Sequence, residues 1–365
     1  MSSKILYSKS NTEFLSRELG FLTNSPDLSF QSNVINDINK GIVPVIEVGT
    51  NSDDLKFLSQ LPTKSWVAIF SLDESCNFIL NYRILKMKSV KCIIKQYPIS
   101  GHLKFNIKFY LLSLSSLIFL SNQKRSIEWY KNLAKWIIIG INLSFRKILI
   151  NLAEKFFKKK EVYIPLGYSD SFCQGYLAKY ENIKNDRIQS LISHSDKMQI
   201  TSVNKSHSIV FFGQKGNFIR NLLLESLKKI DGALVVQRDT FGAYPDESQE
   251  HVVNSLESIS HTEKSWFTFC PPGNISSMTY RLSESLFLGS IPISVEINIT
   301  DPCFMYNKKF QPFTVLSWTK IFDEALHLAR EKRKEIYDRK WSDFKSLVEK
   351  SNELIDNVLK SNENF

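Results

Sequence analysis

Two stretches of this chain combine glycines, arginines and a carboxylate in an order suited to holding a phosphorylated ligand. The first is VFFGQKGNFIRNLLL, in which Gly213 and Gly216 bracket a short loop and Arg220 falls in the first turn of the helix that follows. Glycine lets a backbone approach a phosphate closely, and a helix N-terminus offers free N–H groups. Arg220 adds a fork of donors able to bind two phosphate oxygens at once. A plain strand–turn–helix with a surface arginine fits the same residues, so this loop alone decides nothing. The second stretch is FTFCPPGNISSMTYRLSESLFLGSIPI, residues 267–293. A strand ending at Cys270 meets the sharp turn Pro271-Pro272-Gly273, and Asn274 to Ser277 supply small polar groups and an N-cap. The predicted helix carries Arg281 and Glu284 on one face and stops at Gly289. A carboxylate placed there can accept hydrogen bonds from both hydroxyls of a ribose, and Arg281 can orient it or reach a phosphate. The alternative is an intrahelical Arg–Glu pair on a solvated face.

In an open α/β sheet, ligands bind beyond the carboxyl ends of the strands, where loops lead into helix N-termini. The elements that would place these loops follow from the hydrophobic pattern. In the second half, strands are predicted at Ile209–Phe212, Ala233–Gln237, Trp266–Phe269 and Ile291–Val295, with helices at about 217–229, 247–259 and 278–288. A long charged helix at about 319–360 closes the chain. In the first half, strands are predicted at Ile42–Val48, Trp66–Phe70, Val90–Tyr97 and Val162–Pro165, with a helix at Asp54–Leu61 and helical patterning through 103–157. Strands separated by helices predict a parallel sheet covered by helices. A polar helical stretch at about 172–193 leads into SHSDKMQITSVNKSHS, which has loop composition. The organisation expected is an N-terminal α/β lobe at 1–165, a helical connection at 166–206, a second lobe at 207–318 and a C-terminal helix at 319–365. No internal repeat is found.

Composition narrows the class. The chain has 365 residues, enough for two domains, and its 43% hydrophobic and 23% charged content is that of a globular protein. The first residues lack an apolar core of signal-peptide length, and no run of 18 apolar residues occurs, so a cytoplasmic location is expected. Five cysteines without a CxxC pair fit unpaired thiols in a reducing compartment. The six histidines form no HExxH and no spacing that pairs with cysteine, so no metal site and no cofactor are expected.

The order Cys270-Pro271-Pro272-Gly273, Thr279, Arg281, Glu284, Gly289 and Ile291-Pro292-Ile293 resembles the exostosin family of glycosyltransferases. The upstream Phe211–Gly213 and Arg220 look like that family's first phosphate loop, and Asp301-Pro302 and Trp318 fall where related sequences have similar features. The resemblance covers residues 207–320; Gln96-Tyr97 is a faint echo in the first half. Thr279 stands where a serine is usual, and the loop from Gly273 to Arg281 is about one residue longer than the family pattern.

The resemblance implies two Rossmann-like lobes of the GT-B type, a nucleoside-diphosphate-sugar donor (UDP- or GDP-sugar), inversion at the anomeric carbon, and a glycan or lipid-linked acceptor. Glu284 would hold the ribose; Arg220 and Arg281 would neutralise the leaving diphosphate. No D-x-D stands at a strand end, so cationic side chains and helix dipoles would do that work without a metal. The base for the acceptor hydroxyl would come from the first lobe, where Asp73 and Glu74 follow the WVAIF strand; either also reads as an exposed turn acid. Asp239, after the Ala233–Gln237 strand, could contact a ligand or cap its loop.

The net charge of +10 is local: residues 101–160 hold twelve Lys or Arg against Glu128 and Glu154. Within 103–160 these alternate with Trp129, Tyr130, Trp136, Phe145, Phe156 and other apolar residues. Basic amphipathic helices of this kind lie on anionic membrane surfaces, and the pattern equally fits a helix packed on its own lobe with solvated lysines. No RNP, helix-turn-helix or finger pattern points to nucleic acid. Two non-enzymatic readings stand beside the transferase: an inactive nucleotide- or glycan-binding module, and a membrane-surface adaptor on the same scaffold.

Overall fold

The computed structural model describes residues 5–8, 27–30, 45–47, 56, 58–61, 66–70, 78–95, 127–163, 172, 175–176, 179, 205–214, 218–238, 249–271, 280–294, 315–328 and 330–361. It is a mixed α/β structure with two wholly parallel sheets. Its contacts divide the chain into two compact units, Met1–Leu103 with Asn142–Pro165 and Lys345–Phe365, and Lys104–Ile141 with Leu166–Phe344.

The first unit holds β1 (Ile5–Ser8), β2 (Asp27–Phe30), β3 (Val45–Glu47), β4 (Trp66–Phe70), β5 (Val90–Lys95) and β6 (Lys160–Tyr163), in the order β2-β1-β3-β4-β5-β6. Helix α1 (Phe78–Lys86) links β4 to β5 and buries Ile84 and Leu85 completely. Neither β1, β2 nor α1 is foreseen in the hydrophobic pattern. Helix α2 (Ile127–Phe156), of which the residues from Asn142 onward belong to this unit, runs for 30 residues into β6. It ends with Lys158 in the left-handed region (φ 52°), which lets the Lys159 amide reach back to the Glu154 carbonyl at 3.1 Å. The Lys159 ammonium donates to the carbonyls of Met87 and Val90 at 2.8 and 2.7 Å, so the end of α2 is fastened to the turn that opens β5.

The second unit holds β7 (His207–Gln214), β8 (Leu234–Arg238), β9 (Ser265–Cys270) and β10 (Ile291–Ser294), in the order β10-β9-β7-β8. Helices α3 (Phe218–Leu227), α4 (Gln249–Glu263) and α5 (Tyr280–Phe287) make the three crossovers. Side chains alternate across β7, so Phe211 and Phe212 bury opposite faces. Phe211 meets Phe269, which packs against Trp318 and Phe322 of α6 (Val315–Leu326). Phe212 stacks instead on His261 of α4.

The single C-terminal helix expected at about 319–360 is two helices: α6 stops at Leu326 and α7 (Arg330–Ser361) follows. No Gly or Pro marks the break. A side chain makes it: Arg333 of α7 donates to the Leu326 carbonyl at 2.5 Å, capping the last turn of α6. The same guanidinium lies over the rings of Trp266 and Phe267, 5.2 and 5.6 Å from their centroids. Desolvated stacking holds the cap in place.

Candidate functional site

The order of the second sheet decides where a ligand can sit. From β7 the chain moves to one side to form β8, and from β9 it moves to the other side to form β10. The connections that leave β7 and β9 at their carboxyl ends therefore diverge, and the crevice between them is where open α/β sheets bind ligands. These two connections are the ones that the sequence singles out.

Gly213 lies at the carboxyl end of β7 and is buried. Arg281, the second residue of α5, reaches back across that strand end. Its guanidinium carbon is 5.1 Å from the centroid of the fully buried Phe211 ring. A β-carbon on Gly213 would lie 2.9 Å from Arg281 Nη2 and 2.9 Å from Phe211 Cζ. Both are closer than real contacts allow, so glycine is what lets the guanidinium lie flat between strand end and aromatic face. Phe211 and Gly213 stand two apart and share one face of β7. Cation–π attraction and the missing side chain thus act on the same guanidinium. Arg281 itself is only partly buried, so it retains solvent access.

Below Arg281 the packing is tight and neutral. The Ser285 hydroxyl donates to the Arg281 carbonyl at 2.5 Å and lies 3.7 Å from the Cys270 sulfur. Burial pushes the Cys270 thiol up to about 12, and the opposed influences of Arg281 and Glu284 do not offset it. Cys270 is therefore a protonated packing group and not a nucleophile. Glu284 follows Arg281 on α5 and is partly exposed, and Arg220, in the first turn of α3, is also partly exposed.

The far end of α5 is fixed by several bonds. Gly289 takes the left-handed conformation (φ 74°); its amide bonds the Leu286 carbonyl at 3.1 Å and the Ser290 amide bonds Ser285 at 2.9 Å. This is the C-cap expected at Gly289. The Tyr337 hydroxyl of α7 donates to the Leu286 carbonyl at 2.7 Å, and the half-buried Lys205 ammonium donates to the backbone carbonyls of Gly289 at 3.0 Å and Glu263 at 2.7 Å. Ser294, in register with Cys270, ends β10 at the same carboxyl edge. Its buried hydroxyl has no hydrogen-bond partner among the described residues.

Of the sequence candidates, the structure brings Gly213 and Arg281 together and puts Glu284 on the same helix as Arg281, while Arg220 begins the helix that follows Gly213. Gly216, Gly273, Thr279, Asp73, Glu74 and Asp239 lie outside the described residues. Sequence reasoning missed Phe211 as the seat of Arg281, although its position two before Gly213 was the available signal. It missed Tyr337 and Ser294 too, which no local pattern marks. Among the described residues no group of His, Cys, Asp or Glu could hold a metal ion. No protein-family model matches the chain, and no curated protein is significantly similar to it.

Proposed function

We propose that this chain is a glycosyltransferase that moves a sugar from a nucleoside-diphosphate-sugar donor to a glycan or lipid-linked acceptor, with inversion and without a metal. The observation that carries the reading is the guanidinium of Arg281 laid beside Gly213, at the point where the second sheet reverses its order. A diphosphate bound there meets a cation at one strand end and the N-terminus of α3 beyond the other connection. The motif order from Cys270 to Pro292, with its resemblance to the exostosin family, adds the sugar-nucleotide chemistry. The parallel sheets of both units, and the grouping of residues 345–365 with the first, are compatible with two Rossmann-like lobes of the GT-B type.

In this mechanism the bond from the anomeric carbon to the diphosphate breaks, and its electron pair leaves with the phosphate oxygen. Arg281 and Arg220 stabilise that charge as it develops. Glu284 accepts hydrogen bonds from the ribose hydroxyls and sets the donor's register. The acceptor oxygen attacks from the opposite face and gives its proton to a carboxylate, for which Asp73 and Glu74 remain the candidates. Amide substitution of both with unchanged turnover would remove them.

The test is calorimetric titration with UDP and GDP, without added metal, of the wild type and of Glu284→Ala and Arg281→Ala. Saturable binding that weakens by about ten- to a hundredfold in each variant is expected, since removal of a charged hydrogen bond costs on that order. No binding by the wild type, or binding indifferent to both substitutions, overturns the proposal. Binding without donor hydrolysis or transfer would leave a nucleotide-binding module.

A further inference from the structure

Helix α2 carries a second surface that the donor site does not use. Eight of the nine large hydrophobic side chains found exposed among the described residues belong to it. Ile138, Ile141, Phe145, Ile148 and Leu152 follow one another in steps of three and four, and are 66, 58, 60, 37 and 57% exposed. Ile127 and Tyr130 extend the row toward the N-terminus and Phe156 toward the C-terminus, where it is 80% exposed. From Ile127 to Phe156 is eight turns at about 3.6 residues per turn, so both ends fall on one straight line along the helix. On an ideal helix the whole row spans about 80° of arc. Ile150 and Glu154 are buried on the opposite side, which is the side packed on the protein.

Charge identifies the occupant. Lys131, Lys135 and Arg146 are exposed along one flank of the row, and Lys155 on the other. The segment around the helix carries the whole net positive charge of the chain. A second copy of the chain would bring its own basic flanks against these, whereas an anionic surface complements them. No helix among the described residues is long and apolar enough to cross a membrane, so α2 can lie on a bilayer and does not span one.

We propose that α2 docks the protein on an anionic lipid surface, with the row from Ile127 to Phe156 entering the headgroup–acyl boundary and the flanking Lys and Arg contacting lipid phosphates and carboxylates. This inference is independent of the donor site and stands or falls without it.

The experiment is co-sedimentation of the full chain with vesicles of phosphatidylcholine containing about a third phosphatidylserine, against phosphatidylcholine alone. Binding to the anionic vesicles is expected, weaker by about tenfold or more on neutral vesicles or in high salt. Ile138→Glu with Phe145→Glu should lower it by about tenfold or more, and Lys131→Glu with Lys135→Glu and Arg146→Glu by a similar factor. All of these side chains are exposed, so thermal melts should match the wild type. Should the first pair melt early, Ile127→Glu with Phe156→Glu at the two ends of the row makes the same test. Absence of binding by the wild type, or binding unchanged by both kinds of variant, overturns the proposal. So does light scattering that shows a dimer without lipid which the apolar variant abolishes, since a second copy would then be the occupant.

Discussion

The guanidinium of Arg281 occupies the space that a side chain on Gly213 would need: a β-carbon there would lie 2.9 Å from Nη2. The contact joins the carboxyl end of β7 to the start of α5, and so fixes a cation at the sheet's point of reversal. Gly213→Ala keeps a backbone conformation open to alanine and forces Arg281 to move. Affinity for the nucleoside diphosphate should fall by about tenfold, or about 1.4 kcal/mol. In an Arg281→Ala background the same change should cost much less affinity, because of the two groups it crowds only the Phe211 ring remains. A calorimetric double-mutant cycle measures this coupling. Additive losses would mean that Gly213 serves the ligand by some route other than placing Arg281.

The Tyr337 hydroxyl holds the Leu286 carbonyl from α7, across the end of α5. Tyr337→Phe removes the bond while leaving the ring, and the carbonyl keeps its bond from the Gly289 amide. A loss of about 1 kcal/mol in stability is expected, seen as a lower urea midpoint at unchanged slope. Nucleotide affinity should change by less than about twofold if Tyr337 supports α5 without touching the ligand. A larger fall would give Tyr337 a place in the site.

Ser294 presents the opposite case. Its hydroxyl is buried at the carboxyl edge with no hydrogen-bond partner among the described residues, a cost that Ser294→Ala removes. The variant should be as stable as the wild type or more so, by up to about 1 kcal/mol. If a bound nucleotide supplies the missing partner, the variant should at the same time bind more weakly. A melting curve and a titration on one sample separate the two effects, and a destabilised variant would show that the hydroxyl is already satisfied.

Much of the sheet framework was legible in the sequence because buried parallel strands are continuous apolar runs. WVAIF is β4 residue for residue, and the four strands of the second unit lie where their runs predict. The short β1 (ILYS) and β2 (DLSF) mix polar with apolar residues and lie below that signal. Helix α1 has no acid in its first turn to announce it. The break between α6 and α7 was illegible for a different reason: Arg333 caps Leu326 from another helix, which is tertiary information. The site divides the same way. Strand-end glycines and a helix-start arginine could be read locally, whereas the meeting of Gly213 with Arg281 depends on β7 lying next to β9. Composition showed that the region of α2 was basic and amphipathic. That its apolar row faces outward could be learned only from what packs on the other side.

At the amino end of β7, His207 Nε2 and His261 Nδ1 lie 2.9 Å apart. That bond needs an N–H on one ring and a lone pair on the other, so double protonation breaks it. Burial first, then the positive charge of a protonated His261 and of Lys264, hold the pKa of His207 below the ordinary histidine value. As pH falls through about 6.5 the unfolded chain therefore takes up this proton before the folded one does. The contribution of His207 to stability is complete above about pH 7 and declines below about 6.5, until the folded-state value is passed and the loss levels off. Melting temperatures of wild type and His207→Gln, measured from pH 8 to 5, should converge or cross within that window, with the wild type falling more steeply. Parallel curves would show that the pair does not titrate with folding. Because His261 also stacks on Phe212, on the face of β7 opposite Phe211 and Arg281, acidification should loosen α4 against β7 before it reaches the Arg281 contact. Hydrogen exchange should then show lost protection in α4 at a pH where nucleotide affinity is still intact.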